Sequence, residues 1–300
     1  MKYYSIIAFV LIYLSVNSQT LKGEVLDSLT RQELPYVNLG IKGKRIGVYS
    51  NENGKYNFDL SKTSQEDTII VSLIGYRKQK IALSRFFEKK EYQFNFQLIP
   101  KIESLNEIFI LSKPKKYSTN KIQISTGNRN QTFPSSVPYG SEVAVFIENS
   151  KHKKGKLSQL HLKFKSIKDD KFKTHPTYYR LAFYNLDTLG FPGDLVHFEN
   201  VIIKPKIKTK SFKIDLEDKE IPFSEDGIFV GIETIKPDFV KLTSSMYLTT
   251  PTLLYTHTKT SLKYYRFHSN VWHKQKRKSV LKKKLFTVPF IKVKVVYEAE

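Results

Sequence analysis

Gly23-Glu24-Val25-Leu26-Asp27, Leu34-Pro35-Tyr36-Val37-Asn38-Leu39, Gly47, Asn51-Glu52-Asn53-Gly54-Lys55-Tyr56-Asn57-Phe58 and Ser72-Leu73-Ile74-Gly75-Tyr76 punctuate residues 23–76. Short runs of β-branched and aromatic residues, broken by Gly, Asn and Pro, predict short strands joined by tight turns. Gly54 after Asn53 predicts a hairpin turn between two strands, because such a turn needs positive φ. Thr68 to Leu73 is almost continuously apolar, as a central strand covered on both faces would be. Gly75-Tyr76 should end that strand, with the ring packed back on the sheet. Phe94, Phe96 and Leu98 then form a closing strand with one apolar face. Helical spacing is confined to one turn or short helix around residues 83–90.

These segments resemble the carboxypeptidase regulatory-like (prealbumin-like) family over residues 20–99. The resemblance implies a seven-stranded β-sandwich that stabilises or connects larger assemblies and is not itself a catalyst. The same module opens TonB-dependent outer-membrane receptors, but the roughly 200 residues that follow are far too few for a barrel of about 22 strands.

Outward from this module, residues 1–18 read as a signal peptide. Lys2 gives a positive start, Ile6 to Leu14 an apolar run too short to span a bilayer, and Val16-Asn17-Ser18 a small-residue end. Residues 100–140 read as a linker, since Lys113-Pro114-Lys115-Lys116 and Pro134-Ser135-Ser136-Val137-Pro138 oppose a packed core. Within it, Leu105 to Ile110 is expected to be one short strand. Residues 141–300 read as a second, basic sandwich. Leu160, Leu162 and Phe164 alternate with His161, Lys163 and Lys165; Ile291, Val293 and Val295 alternate with Lys292 and Lys294. That is the pattern of antiparallel sheets with one buried and one wet face. The strand order resembles a jelly-roll or galactose-binding-like sandwich, an arrangement similar to exported proteins of the Bacteroidetes type. The expected fold is all-β: regulatory-like sandwich, linker, jelly-roll-like sandwich.

The chain has no cysteine, which excludes disulfide stapling and lipid attachment at a cysteine. Its formal charge is +22, and residues 101–300 carry +17 of it, with 36 basic against 19 acidic side chains. Such an excess favours polyanions. Export points away from nucleic acid and towards an envelope polymer or protein partner, including anionic glycan. The alternative is that lysines merely keep sheet edges soluble.

No catalytic constellation emerges. A zinc carboxypeptidase needs a His and a Glu three apart, and none of the seven histidines has Glu at that spacing; His197-Phe198-Glu199-Asn200 ends in Asn. His268 and His273 flank Trp272 without further ligands nearby. Gly-x-Ser-x-Gly and phosphate-cradling loops are absent. Carboxylates of a glycan hydrolase need no fixed spacing, so dispersed acids keep that class open. No catalytic, cofactor or metal residue is therefore assigned. The contact surfaces expected are loops 187–195 and 268–285, with Trp272, Lys274, Lys276, Arg277 and Lys278 as an anion or glycan patch in which the indole stacks on a sugar. The function expected is a non-enzymatic exported envelope protein, in the periplasm, on the outer-membrane surface or secreted, with no transmembrane span after signal cleavage. A carbohydrate-binding or adhesion protein for anionic glycans and a glycan-acting hydrolase are the alternatives.

Overall fold

The computed structural model describes residues 19–101, 115–260, 262–280 and 283–299. The expected signal peptide and the Leu105–Ile110 strand lie outside these residues. Eight strands build the first domain: β1 (Thr20–Asp27), β2 (Asn38–Ile41), β3 (Gly47–Tyr49), β4 (Lys55–Asp59), β5 (Thr68–Ser72), β6 (Gln79–Ala82), β7 (Glu91–Gln93) and β8 (Phe96–Leu98). They form two sheets, β4-β1-β7 with β8 also on β1, and β3-β2-β5-β6. Because β7 and β8 follow β1 in succession, both parallel to it, they occupy one strand position. Leu21, Val25, Leu39, Ile41, Phe58, Ile69, Val71 and Phe96 interdigitate between the sheets. β5 is central and buried, as its apolar run predicts. The Tyr76 ring packs on this core, and its hydroxyl donates to Asp27 Oδ2 at 2.8 Å. Leu83–Phe86 is a single 3-10 turn.

The Asn53-Gly54 turn differs from expectation. Gly54 has φ +67°, but β3 and β4 belong to different sheets, so the turn carries the chain across the sandwich instead of closing a hairpin.

The second domain contains β9 (Ile122–Ser125), β10 (Phe133–Pro134), β11 (Ser141–Glu148), β12 (Gly155–Lys165), β13 (Thr174–Pro176), β14 (Tyr178–Leu186), β15 (Pro192–Leu195), β16 (Val201–Ile203), β17 (Ser211–Asp215) and β18 (Pro222–Phe223). It continues with β19 (Gly227–Ile235), β20 (Leu248–Thr250), β21 (Thr252–Thr258), β22 (Lys263–Phe267), β23 (His273–Lys274), β24 (Lys278–Val280), β25 (Lys283–Pro289) and β26 (Ile291–Tyr297). One sheet runs β15-β14-β19-β11-β22-β23, the other β24-β25-β21-β12-β26-β9. Val145, Leu160, Leu162, Phe183, Val230, Val288 and Val293 fill the space between them.

The boundary of this domain also differs. Of the expected linker 100–140, β9 pairs with β26, β10 pairs with β21, and Tyr117 bridges to Glu298. Ile122 and Ile124 pack on the core, so the second sandwich begins well before Ser141. Polar composition concealed this, because β9 is an edge strand whose other face holds Gln123 and Ser125 in water.

Every residue of β19 is buried, without alternation. The reason lies on the sheet's outer face. There Ala144, Ala182, Tyr184, Phe229 and Tyr264 are covered by Ile74 of the first domain and by Leu195 and Trp272 of the second. The first domain thus docks against one face of the second.

Candidate functional site

Where the domains meet, the strand register sets four charges in one row. Arg180 on β14 faces Glu233 on β19, Glu233 faces Glu142 on β11, and Glu142 faces Arg266 on β22. Arg180 Nη1 donates to Glu233 Oε2 at 2.8 Å and Arg266 Nε to Glu142 Oε2 at 2.7 Å. Arg180, Glu233 and Glu142 are almost fully buried. Charges so placed are tolerable only when paired and hydrogen-bonded. Burial works against the Arg266 cation, but Glu142, Tyr184 and Glu233 together outweigh it and hold its pKa above the ordinary value. The next row, Ala182, Gly231, Ala144 and Tyr264, is mostly small, which leaves room beside the charges.

The first domain answers with a row of its own: Tyr49 on β3, Asn38 on β2 and Ser72 on β5. Asn38 Nδ2 and Tyr49 Oη both donate to Glu233 Oε1, at 2.8 and 2.9 Å. Arg180 Nη2 donates to the Tyr36 carbonyl, and its Nε to Asn200 Oδ1 at 2.9 Å. Since Asn38 Nδ2 is a donor to Glu233, Asn38 Oδ1 accepts from His268 Nδ1–H, 2.6 Å away. Burial and the Arg180 charge push the His268 pKa down to about 3, so the ring is neutral. The ring lies on two cross-strand neighbours, Gly40 and Gly47, where a Cβ would sit 2.7 and 2.5 Å from His268 atoms. These glycines permit the close approach.

Two spaces flank Arg266. The inner chamber, about 60 Å³, is lined by Asn38, Ser72, Lys78, Glu142, Glu233 and Arg266 among others. It has room for a few waters, not for a sugar ring. Ser72 Oγ is buried there without a hydrogen-bond partner in the protein. Lys78 is exposed as a residue, yet desolvation at its ammonium end and the Arg266 charge draw its pKa down to about 8. The outer cleft is larger, about 510 Å³, and opens between the turn after β2 and the turn after β22. Lys44 and Arg45 line it from the first domain; Tyr265, Arg266, Val271 and His273 line it from the second. Asn270 clamps the two turns together. Its Nδ2 donates to the Ile41 and Lys44 carbonyls at 3.0 and 3.3 Å, and its Oδ1 accepts from Gly43 N at 3.1 Å. Lys44 is held by Asp67 at 2.6 Å. Arg45 is exposed and has no carboxylate within ion-pairing distance among the described residues. Tyr265 and Val271 are 42% and 70% exposed.

The first sandwich, its central β5 and the motif residues Asn38 and Gly47 are now placed. Residues 21–110 match the family model described as the CarboxypepD_reg-like domain. A regulatory-like domain is followed by a β domain. No curated protein matches the chain. Among solved structures, a Bacteroides uniformis protein provisionally described as carbohydrate-binding aligns at 10% identity over 94% of this chain and 99% of that one, with a TM-score of 0.24. A Bacteroides fragilis protein provisionally described as membrane-associated, of unknown function, aligns at 8% identity over 94% and 98%, TM-score 0.22. A DUF3823 family protein of Bacteroides uniformis aligns at 9% over 91% and 99%, TM-score 0.21.

The CarboxypepD_reg-like domain therefore uses its Val37-Asn38 and Gly47 segments to grip its neighbour. Of the residues expected to contact ligand, Trp272 is half-buried: the Arg266 guanidinium lies 4.1 Å above its ring and Tyr184 meets it edge-on at 5.6 Å. Lys274, on β23, is exposed, with its ammonium 5.9 Å from the Tyr264 ring centre. Lys276 is exposed in the connection that follows. Arg277 donates to the Lys259 carbonyl at 3.1 Å and lies 4.7 Å over Phe286. Lys278 opens β24, which belongs to the opposite sheet. The basic run thus crosses a sandwich edge while the indole turns inward. From the expected 268–285 loop the cleft takes Asn270, Val271 and His273. Arg45 and Tyr265 lie outside the expected loops, and nothing local marks them, because the cleft exists only once the domains dock. Among the described residues, no group of three or more His, Asp or Glu converges as metal ligands would. No helix among them is long and apolar enough to cross a membrane.

Proposed function

We propose that the chain is a non-enzymatic binding protein of the cell envelope that holds a short anionic saccharide in the cleft between its two domains. The observation that carries this reading is the lining of that cleft. Arg45, exposed and without a carboxylate in ion-pairing distance among the described residues, lines it from the first domain, and exposed Tyr265 and Val271 line it from the second, with Asn270 fixing the turns between them. Apolar faces for the sugar ring and a guanidinium for its acid group are the chemistry such a ligand needs. The volume falls within the usual range for small-ligand sites. Binding, not hydrolysis, is favoured because the two neighbouring buried carboxylates, Glu142 and Glu233, are each clamped by an arginine beside a chamber with room only for water. Export rests on the reading of residues 1–18.

Calorimetric titration with trigalacturonate and a neutral galactotriose tests the reading. Trigalacturonate should bind, the neutral sugar should bind at least about tenfold more weakly, and Arg45→Gln should remove most of that preference. Equal affinity for both sugars, or an Arg45→Gln variant that keeps the preference, contradicts it. Turnover of trigalacturonate by the purified protein contradicts the non-enzymatic part.

A further inference from the structure

The far side of the second domain carries a different surface. In the sheet containing β12 and β26, alternation turns Leu160, Leu162, Val293 and Val295 inward and their neighbours out to water. The register places Lys213, His161 and Lys292 side by side across β17, β12 and β26. One step along the strands, Asp215, Gln159, Lys294 and Gln123 form a parallel row across β17, β12, β26 and β9, so the face carries one carboxylate at its β17 edge. A shallow groove of about 240 Å³ is lined by Lys213, His161, Lys292, Gln159, Lys294 and Gln123, with the buried Val293 at its floor. Lys163 and Arg129 extend the field at the His161 end; both act on the His161 ring, and Arg129 also acts on Lys163. None of these five cations has a carboxylate within ion-pairing distance among the described residues, in a protein where eight other lysines do. His161 Nε2 is buried in the same face without a hydrogen-bond partner in the protein.

We infer that this sheet face is a docking surface for a linear anionic polysaccharide, separate from the interdomain cleft. Its cations follow the strand lattice: Lys292 and Lys294 lie about 7 Å apart along β26, while Lys213 and Lys292 lie about 10 Å apart across two strand spacings. A flexible polymer bearing repeated carboxylates or sulfates can meet several of them at once. Gln123 and Gln159 offer both donors and acceptors to sugar hydroxyls. The two rows contain no Phe, Tyr or Trp, the large stacking platforms that bases of single-stranded nucleic acid need, and the one ring they hold, His161, is half-buried. They also contain no apolar side chain to enter a lipid surface. Mutual repulsion among the unpaired cations is relieved when a polyanion lies over them, and binding of this kind weakens steeply with salt.

His161 adds a pH signature. Burial first, then Lys163, Lys213, Lys292 and Arg129, hold its pKa below the ordinary imidazole value. A bound polyanion offsets those four charges, so His161 takes up a proton on binding as pH falls.

The test uses the full chain in an Arg45→Gln background, which weakens the cleft and keeps its contribution the same in every variant compared. Soluble polygalacturonate is titrated at low and high salt, alongside single-stranded DNA and anionic lipid vesicles. Polygalacturonate should bind, lose affinity with salt, and bind about tenfold more weakly to Lys213→Gln/Lys292→Gln/Lys294→Gln. These side chains reach solvent, and an unchanged melting temperature confirms that the variant folds. Affinity should rise from about pH 7 to about pH 5, and His161→Gln should flatten that rise while keeping the salt dependence. Wild-type affinity in the triple variant overturns the inference. So does tighter binding of DNA or vesicles through the same three lysines. Because Lys213, Lys292 and Lys294 lie outside the cleft, a loss in the triple variant does not depend on trigalacturonate binding there.

Discussion

His268 carries the docking of the two domains at the residue scale. It is 3% exposed, neutral, and donates to Asn38. In the folded protein it binds a proton only near pH 3, whereas the unfolded imidazole titrates near 6.5. Between those values the unfolded chain holds the extra proton, so stability is full above about pH 6.5 and declines as pH falls, by about 1.4 kcal/mol per unit from this residue. Urea denaturation of wild type and His268→Asn should show the difference: the variant loses less stability between about pH 6 and about pH 4. Parallel pH profiles would show that His268 is not the responsible group. Arg180 makes a second prediction. Replacing it with Met leaves Glu233 buried without its cation and should cost about 3–5 kcal/mol, whereas Arg180→Met/Glu233→Gln should recover part of that loss. Denaturant midpoints of the two variants decide it.

At the scale of elements, Gly40 and Gly47 show why β2 and β3 are built as they are. A valine at Gly40 would push on His268 alone, and one at Gly47 on His268 and on the Leu39 carbonyl of β2; either should cost about 1–3 kcal/mol, read from chemical denaturation. Much of the strand pattern was legible in the sequence because one face of each sheet is wet: Leu160/His161/Leu162 and Val293/Lys294/Val295 declare their faces by alternation. β5 was legible as a continuous apolar run. β9 was not, since its outward Gln123 and Ser125 give an edge strand the composition of a linker. The Asn53-Gly54 turn declared its conformation but not its partners, because positive φ serves a crossing between sheets as well as a hairpin. The candidate cleft was the least legible. The 268–285 loop was expected to carry contacts and supplies Asn270, Val271 and His273, but Arg45 and Tyr265 look like ordinary surface residues until Asn270 and His268 join the two domains. The tryptophan that attracted attention instead supports Arg266.

At the scale of the whole molecule, the charge row and its hydrogen bonds bind two sandwiches into one unit. Further contacts widen the joint: Glu52 N donates to Asp238 Oδ2 at 2.7 Å and Lys204 reaches Glu52 at 2.6 Å. Calorimetric unfolding of wild type should therefore show one transition, and Gly40→Val, whose added side chain meets only His268, should separate it into two as the domains uncouple. Two resolved transitions in the wild type would contradict that coupling. The joint also gives the cleft a built-in reporter. Trp272 is the sole tryptophan, and its ring is covered by Arg266, a residue that lines the cleft. The most direct measurement is Trp272 emission during titration with trigalacturonate. A saturable change that weakens with salt, is lost in Arg45→Gln and is absent with neutral galactotriose is expected. An unchanged emission together with no calorimetric heat, or the same response to the neutral sugar, would contradict the cleft as an anionic-saccharide site.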